Sequence, residues 1–241
     1  MRERPLSDVP CWVKALLVGA FALQLAFAGA QPRPRAAAED LSAPPSAGAL
    51  RLASMGEPIP LGKLLMLYLQ AFDYQAGSRI PYRNLNYDFL VAWLGRILEL
   101  DPSGQYPLMS ASRLYAEVPD PARQRKILDF VYREYLKDPN RRWPWLAHAT
   151  VIAKHELKDL RLAREYAVAL QTHTTTSDAP AWVRQMEPFI LEDMNELEAA
   201  RILIGGLLAS GQITDQREIM MLDRHLRLLE ERIKAEQHKK P

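Results

Sequence analysis

The chain is poor in cysteine, in surplus charge and in strand-like alternation, and each shortage removes a class of protein. Its only cysteine among 241 residues is Cys11, near the N-terminus, without the preceding apolar and small residues of a lipoprotein signal. Intrachain disulfides and cysteine-ligated metals are therefore excluded. Lys and Arg number 31 against 29 Asp and Glu. That balance lacks the basic excess or stripe of a nucleic-acid binder, so no nucleic-acid partner is expected. No stretch alternates apolar and polar residues as a half-buried strand does. The 48% of hydrophobic residues is nevertheless enough to bury a core.

Catalytic signatures are equally scarce. Gly56 to Leu64 (GEPIPLGKL) has one residue too many between its glycines for a phosphate loop, Leu64 where Ser or Thr would meet magnesium, and two prolines without N–H groups. There is no Gly-x-Ser-x-Gly elbow. His148 and His155 are separated by about 10 Å of helical rise, too far for one zinc, and His155-Glu156 lacks the second His of a zinc-protease helix. The acidic group Glu192, Asp193, Glu196 and Glu198 lacks the spacing and glycine of a calcium loop. Glu196 and Glu198 fall in a first helical turn, where negative charge suits the helix dipole. No catalytic, cofactor-binding or metal site is expected.

What the chain does have begins with a leader. Arg2, Arg4 and Lys14 precede an uncharged run from Ala15 to Ala30 that closes on Ala28-Gly29-Ala30, a small-x-small signal-peptidase site. Residues 1–30 read as a signal peptide cut after Ala30 or as a single transmembrane anchor, with Arg33 and Arg35 beyond the run leaving its orientation open. The Ala-rich leader and the missing disulfides fit a bacterial cell envelope, with the domain periplasmic, soluble or held at the inner membrane. Residues 31–60 hold six prolines and seven alanines and read as a linker.

From Leu61 the pattern is helical. Leu61–Phe72 is apolar around much of its circumference and is expected as a buried first helix. Residues 77–86 form a loop, and a helix over 87–100 stops at Asp101-Pro102. A further pair, Tyr106–Glu117 and Asp120–Lys137, stops at Asp138-Pro139. A final helix from Asp215 carries the charged outer positions of a cap. The domain spans 61–236, followed by a tail over 237–241.

The central stretch, 143–211, is written twice. Trp145 and Trp182, Leu160 and Leu197, Ala163 and Ala200, Arg164 and Arg201, and Leu170 and Leu207 each stand 37 residues apart. Asp101 and Asp138 repeat the same interval upstream. In each copy a first helix with an aromatic anchor runs into a short polar turn, 157–159 or 194–196, and a second helix follows. Trp145 and Trp182 read as core anchors, and Ala163 and Ala200 as close-contact positions. Gly205-Gly206 weaken a helix unless another backbone packs on them.

This pattern resembles the tetratricopeptide repeat, a helix-turn-helix unit that stacks into a solenoid. It departs from that family in running longer than about 34 residues and in carrying Ala149 or Met186 where the first helix has glycine. The resemblance implies an all-α fold of four antiparallel helix hairpins and a cap, stacked as a short α-solenoid. It also implies a protein or peptide partner held along the face of the first helices, which places Tyr106, Ser110, Arg113, Glu117, Trp143, Thr150, Lys154, Arg184, Glu187 and Leu191 toward a groove. A second candidate is the loop Asn140–Trp145, where Arg141 and Arg142 stand beside tryptophans in a hot-spot composition. The resulting expectation is a non-enzymatic scaffold or adaptor. Its rivals are a structural subunit of a membrane complex, contacted through residues 61–72, and a hydrolase using Glu187, Glu192 or Asp193.

Overall fold

The computed structural model describes residues 9–30, 41–72, 84–211 and 213–239. Among them are eleven α-helices, two short 3-10 helices and no strand. The helices are α1 (Cys11–Ala30), α2 (Ala47–Ala53), α3 (Pro58–Ala71), α4 (Tyr87–Leu100), α5 (Tyr106–Arg113) and α6 (Pro121–Lys137). They continue with α7 (Pro139–His155), α8 (Leu160–His173), α9 (Met186–Asp193), α10 (Leu197–Ala209) and α11 (Gln216–Lys239). The 3-10 segments are Tyr115–Glu117, after α5, and Ala181–Gln185, leading into α9.

Local chemistry sets these boundaries. The Asn86 side chain accepts from Asp88 N at 2.9 Å and Phe89 N at 3.3 Å. Asp120 caps α6 through Ala122 N and Arg123 N, and Asp159 caps α8 through Leu162 N. Each cap satisfies amides that the first turn leaves unpaired. Prolines open α3, α6 and α7, where their missing N–H costs nothing.

From α3 to α11 successive helices pack on one another, and contacts also skip a helix, from α4 to α6 and from α5 to α7. Leu90, Leu94, Leu108, Leu128, Tyr135, Leu146 and Leu170 are buried in one cluster that runs from α3 to α9. Leu191, Leu197, Ala200, Ile204, Leu222 and Leu229 form a second, covered by α11. The Tyr135 hydroxyl lies 3.0 Å from the Ala169 carbonyl and 2.9 Å from the Thr174 hydroxyl, joining α6 to the end of α8. Asn140 Oδ1 accepts from the amides of Thr175 and Thr176 and fixes α7 to the segment after α8. Ala163 and Ala200 are fully buried, as close-contact positions should be.

The repeat has a backbone signature. Lys158 (φ 55°) and Asn195 (φ 61°), 37 residues apart, both adopt the left-handed conformation in the turns that precede α8 and α10. Asparagine tolerates that region and lysine does not. Lys158→Asn is therefore expected to stabilise the fold by about 0.5–1 kcal/mol, read as a higher urea midpoint at unchanged slope. A midpoint that fails to rise contradicts the parallel between the two turns.

Several expectations are revised. The linker is shorter than residues 31–60. Leu41 and Leu50 are buried, Ser46 caps α2, and Trp93 Nε1 donates to the Ser42 carbonyl at 2.8 Å. Seven helical residues are too few to display a period, which is why this segment read as linker. Residues 31–40, and 73–83 within and before the expected loop, lie outside the described residues.

Helix α3 starts at Pro58 and is only half buried. Met66, Leu69 and Phe72 face inward while Leu64 and Leu67 are each 61% exposed. The expected loop 140–145 is the first part of α7, because Pro139 at its start presets the helical φ. Pro144 merely gives up one helical bond there. Residues 237–239 of the expected tail continue α11. No atom outside their own helix lies within 4 Å of a Cβ placed on Gly205 or Gly206, so these glycines are not sites of backbone approach.

The leader forms α1, 20 residues long with mean hydropathy 1.8 and no buried residue. At 1.5 Å per residue its length is about 30 Å, the thickness of a bilayer core. It is apolar enough to serve as a signal or an anchor.

Candidate partner-binding face

Three tryptophans and a tyrosine mark the starts of α5, α7 and the 3-10 segment before α9. Tyr106 is the first residue of α5, is partly exposed and bonds to Gln70 of α3 through its hydroxyl. Its neighbour Gln105 accepts from Trp145 Nε1 at 2.6 Å. Two positions apart, Trp143 and Trp145 are separated by about 200° around the axis and lie on different sides of α7. Trp143 meets Trp182 edge to face, with ring centroids 6.3 Å apart at 79°. Tyr106, Trp143 and Trp182 make up an aromatic row in which the last two rings touch. Trp182 is 51% exposed.

The sequence reading placed Trp182 in the core, opposite Trp145, and the structure corrects it. The second copy begins with a 3-10 helix, which turns about 120° per residue against about 100° for an α-helix. Over the four steps from Trp182 to Met186 that difference accumulates to about 80°, enough to carry the indole from the inner face to the surface.

A charged region lies further along the same helices. Arg113 and Glu117 are exposed at the end of α5 and the 3-10 turn after it. His148 of α7 lies close enough to feel both. Burial lowers its pKa first, Arg113 lowers it further, and Glu117 opposes them. Its Nε2 is buried without a hydrogen-bond partner. Lys154 at the end of α7 pairs with Asp193 at the end of α9. Arg184 is half-buried beside Trp182, and Arg141 is exposed and pairs with Asp138 at 3.2 Å.

Other expected groove residues point inward. Ser110, Thr150 and Leu191 are buried, and Thr150 spends its hydroxyl on the Leu146 carbonyl at 2.8 Å. Glu187 is buried and accepts from Arg164 Nε of α8 at 3.1 Å. Arg142 is 4% exposed and forms an ion pair with Glu134 of α6 at 2.9 Å. None of these five side chains is available to a partner. The carboxylates weighed for hydrolysis are each held by a cation from another element. Glu187 meets Arg164, Glu192 meets His225 and Arg232, and Asp193 meets Lys154.

Comparisons with family models, with curated proteins and with solved structures find no match. The aromatic row and the charges beyond it can bind by stacking, apolar contact and paired charge, the composition enriched where polypeptides are recognised.

His148 also gives this face a pH dependence. A histidine whose folded pKa is depressed takes up a proton more readily when unfolded, so stability falls as pH drops below its ordinary value of 6.5. His148→Gln removes that contribution. The variant is expected to lose less thermal stability than the parent between about pH 7.5 and about pH 5; parallel melting profiles for the two proteins contradict the assignment.

Proposed function

We propose that this protein is an exported or membrane-tethered scaffold of the bacterial envelope, facing the periplasm, that binds a protein or peptide partner without catalysing a reaction. In this reading α3 with α4, α5 with α6, α7 with α8 and α9 with α10 are four antiparallel hairpins stacked as a tetratricopeptide-like solenoid, and α11 is its cap. The matching left-handed turns at Lys158 and Asn195, and the contacts that skip from α4 to α6 and from α5 to α7, support the stack.

The observation that carries the functional reading is the half-exposed indole of Trp182, held edge to face on the partly buried Trp143. Together with Tyr106 it offers rings across three successive units. Arg113, Glu117, Lys154 and Arg184 supply both signs of charge along the same helices. Such a surface suits an extended polypeptide with apolar side chains, bound at equilibrium on a preformed site. Arg142 and Glu187 belong to the support beneath it.

The test is a crosslinking pull-down from native membranes with the full-length protein and with its Trp182→Ala variant. Capture of one protein by the parent and its loss from an equally helical variant is the expected result. Equal capture by both moves the binding site elsewhere, and no capture by either turns the search toward enzymatic activity.

A further inference from the structure

Helix α3 is apolar on two opposite faces. Its inner face, Met66, Leu69 and Phe72, packs into the core with α4. Its outer face carries Pro60, Lys63, Leu64, Leu67 and Tyr68, spaced by three and four residues and all exposed. A helix that is apolar all round is ordinarily covered on all sides. Two more apolar side chains are exposed just upstream in the chain. Leu52 of α2 is 82% exposed and Met55, in the turn after it, is 91% exposed. Among the described residues from 41 to 72 the charged side chains are only Arg51, Glu57 and Lys63, so this segment has little to keep it in water.

What covers this surface follows from where the chain comes from. Only residues 31–40 separate the end of α1 from Leu41, and ten residues span at most about 35 Å even when fully extended. Leu41 is fixed in the core, and Trp93 holds the Ser42 carbonyl. The attachment point is therefore part of the folded domain and immediately precedes α2 and α3. An α1 that crosses a bilayer would hold this end of the domain beside the membrane.

We propose that the outer face of α3, with Leu52 and Met55, docks on the lipid surface of the membrane that α1 crosses. Leu64, Leu67 and Tyr68 enter the headgroup boundary, and Arg51 and Lys63 remain at the level of the lipid phosphates. Short interfacial helices bind membranes through the same combination of apolar side chains and flanking cations. The inference rests on the reading of α1 as a retained anchor.

The test uses full-length protein with Cys11→Ser in vesicles of phosphatidylcholine and phosphatidylglycerol, spin-labelled through Leu64→Cys, Leu67→Cys or, as a control on α11, Leu228→Cys. Labels at 64 and 67 are expected to collide several-fold more with oxygen, and several-fold less with a water-soluble nickel chelate, than the label at 228. Equal nickel access at all three sites overturns the proposal. Shielding of 64 and 67 from both probes also overturns it, because that is the signature of a protein neighbour such as a second copy.

The anchor itself is checked by the mass of the protein recovered from native membranes. Loss of residues 1–30 defeats the anchor reading alone. The cleaved protein is then floated with the same vesicles, where flotation abolished by Leu64→Asp with Leu67→Asp supports the lipid-docking face and absence of flotation overturns it.

Discussion

Replacement of Arg142 by alanine is expected to lower the unfolding free energy by about 3–5 kcal/mol. The guanidinium is buried where three elements meet. Its Nη1 donates to the Glu134 carbonyl at 2.7 Å and to Glu134 Oε2 at 2.9 Å, while Nη2 donates to the Pro102 carbonyl at 2.9 Å. One side chain thus joins α7 to α6 and to the turn after α4. Truncation leaves the Glu134 carboxylate buried beside a void, with Lys137 Nζ at 2.5 Å as its remaining cation. The penalty comes mainly from that buried charge, left with only an exposed lysine beside it. Arg142→Met combined with Glu134→Leu is accordingly expected to recover most of the loss, because a buried ion pair replaced by apolar groups of similar volume is often neutral. Urea denaturation of the two variants checks both statements. A single variant as stable as the parent, or a double variant no better than the single, contradicts them.

Replacement of Trp182 by alanine is expected to weaken partner binding by about 30-fold, the equivalent of about 2 kcal/mol. The same change should leave stability almost untouched. A buried tryptophan would cost about 3–5 kcal/mol when truncated, but half of Trp182 already faces solvent. Its fixed surface is its edge-to-face contact with Trp143. Partners gain from such rings because a large rigid side chain buries area at small cost in conformational entropy. Trp145→Ala offers the contrast, since Trp145 is half-buried and bonded to Gln105, and should lose stability before it loses binding. The check is titration of the captured partner against each variant, together with its melting temperature. Unchanged affinity in Trp182→Ala removes the aromatic row from the site.

The helices of this protein were legible because their ends are chemically marked. Asn86, Asp120 and Asp159 cap, prolines start, and the helix over 87–100 stops where Asp101-Pro102 requires. The 37-residue interval found the turns at Lys158 and Asn195 and the starts of α8 and α10. It failed on faces. A repeat fixes which residues correspond only while both copies keep the same helix type, and the 3-10 segment Ala181–Gln185 broke that condition. Trp182 moved outward as a result.

Arg142 failed for another reason. Arginine beside tryptophan has the composition of a recognition loop, and nothing local shows that Glu134, eight residues upstream, returns to meet it. Among the expected partner residues, Tyr106, Arg113, Glu117, Arg141, Trp143, Lys154 and Arg184 keep some exposure. His148 and Trp182 were recovered only from packing. The outer face of α3 was hidden by its own uniformity, since an all-apolar helix gives no phase from which to read its burial.

The early fixing of the chain at Leu41 and Ser42 has a further consequence. In a molecule that keeps α1, the folded domain cannot wander from its insertion point by more than the reach of ten residues, about 35 Å. Confinement within so small a volume gives the domain an effective concentration in the millimolar range toward anything held at the same spot of membrane. A site of only micromolar intrinsic affinity would be nearly saturated there, yet would release a freely diffusing competitor quickly. Selectivity then depends on co-residence as much as on complementarity.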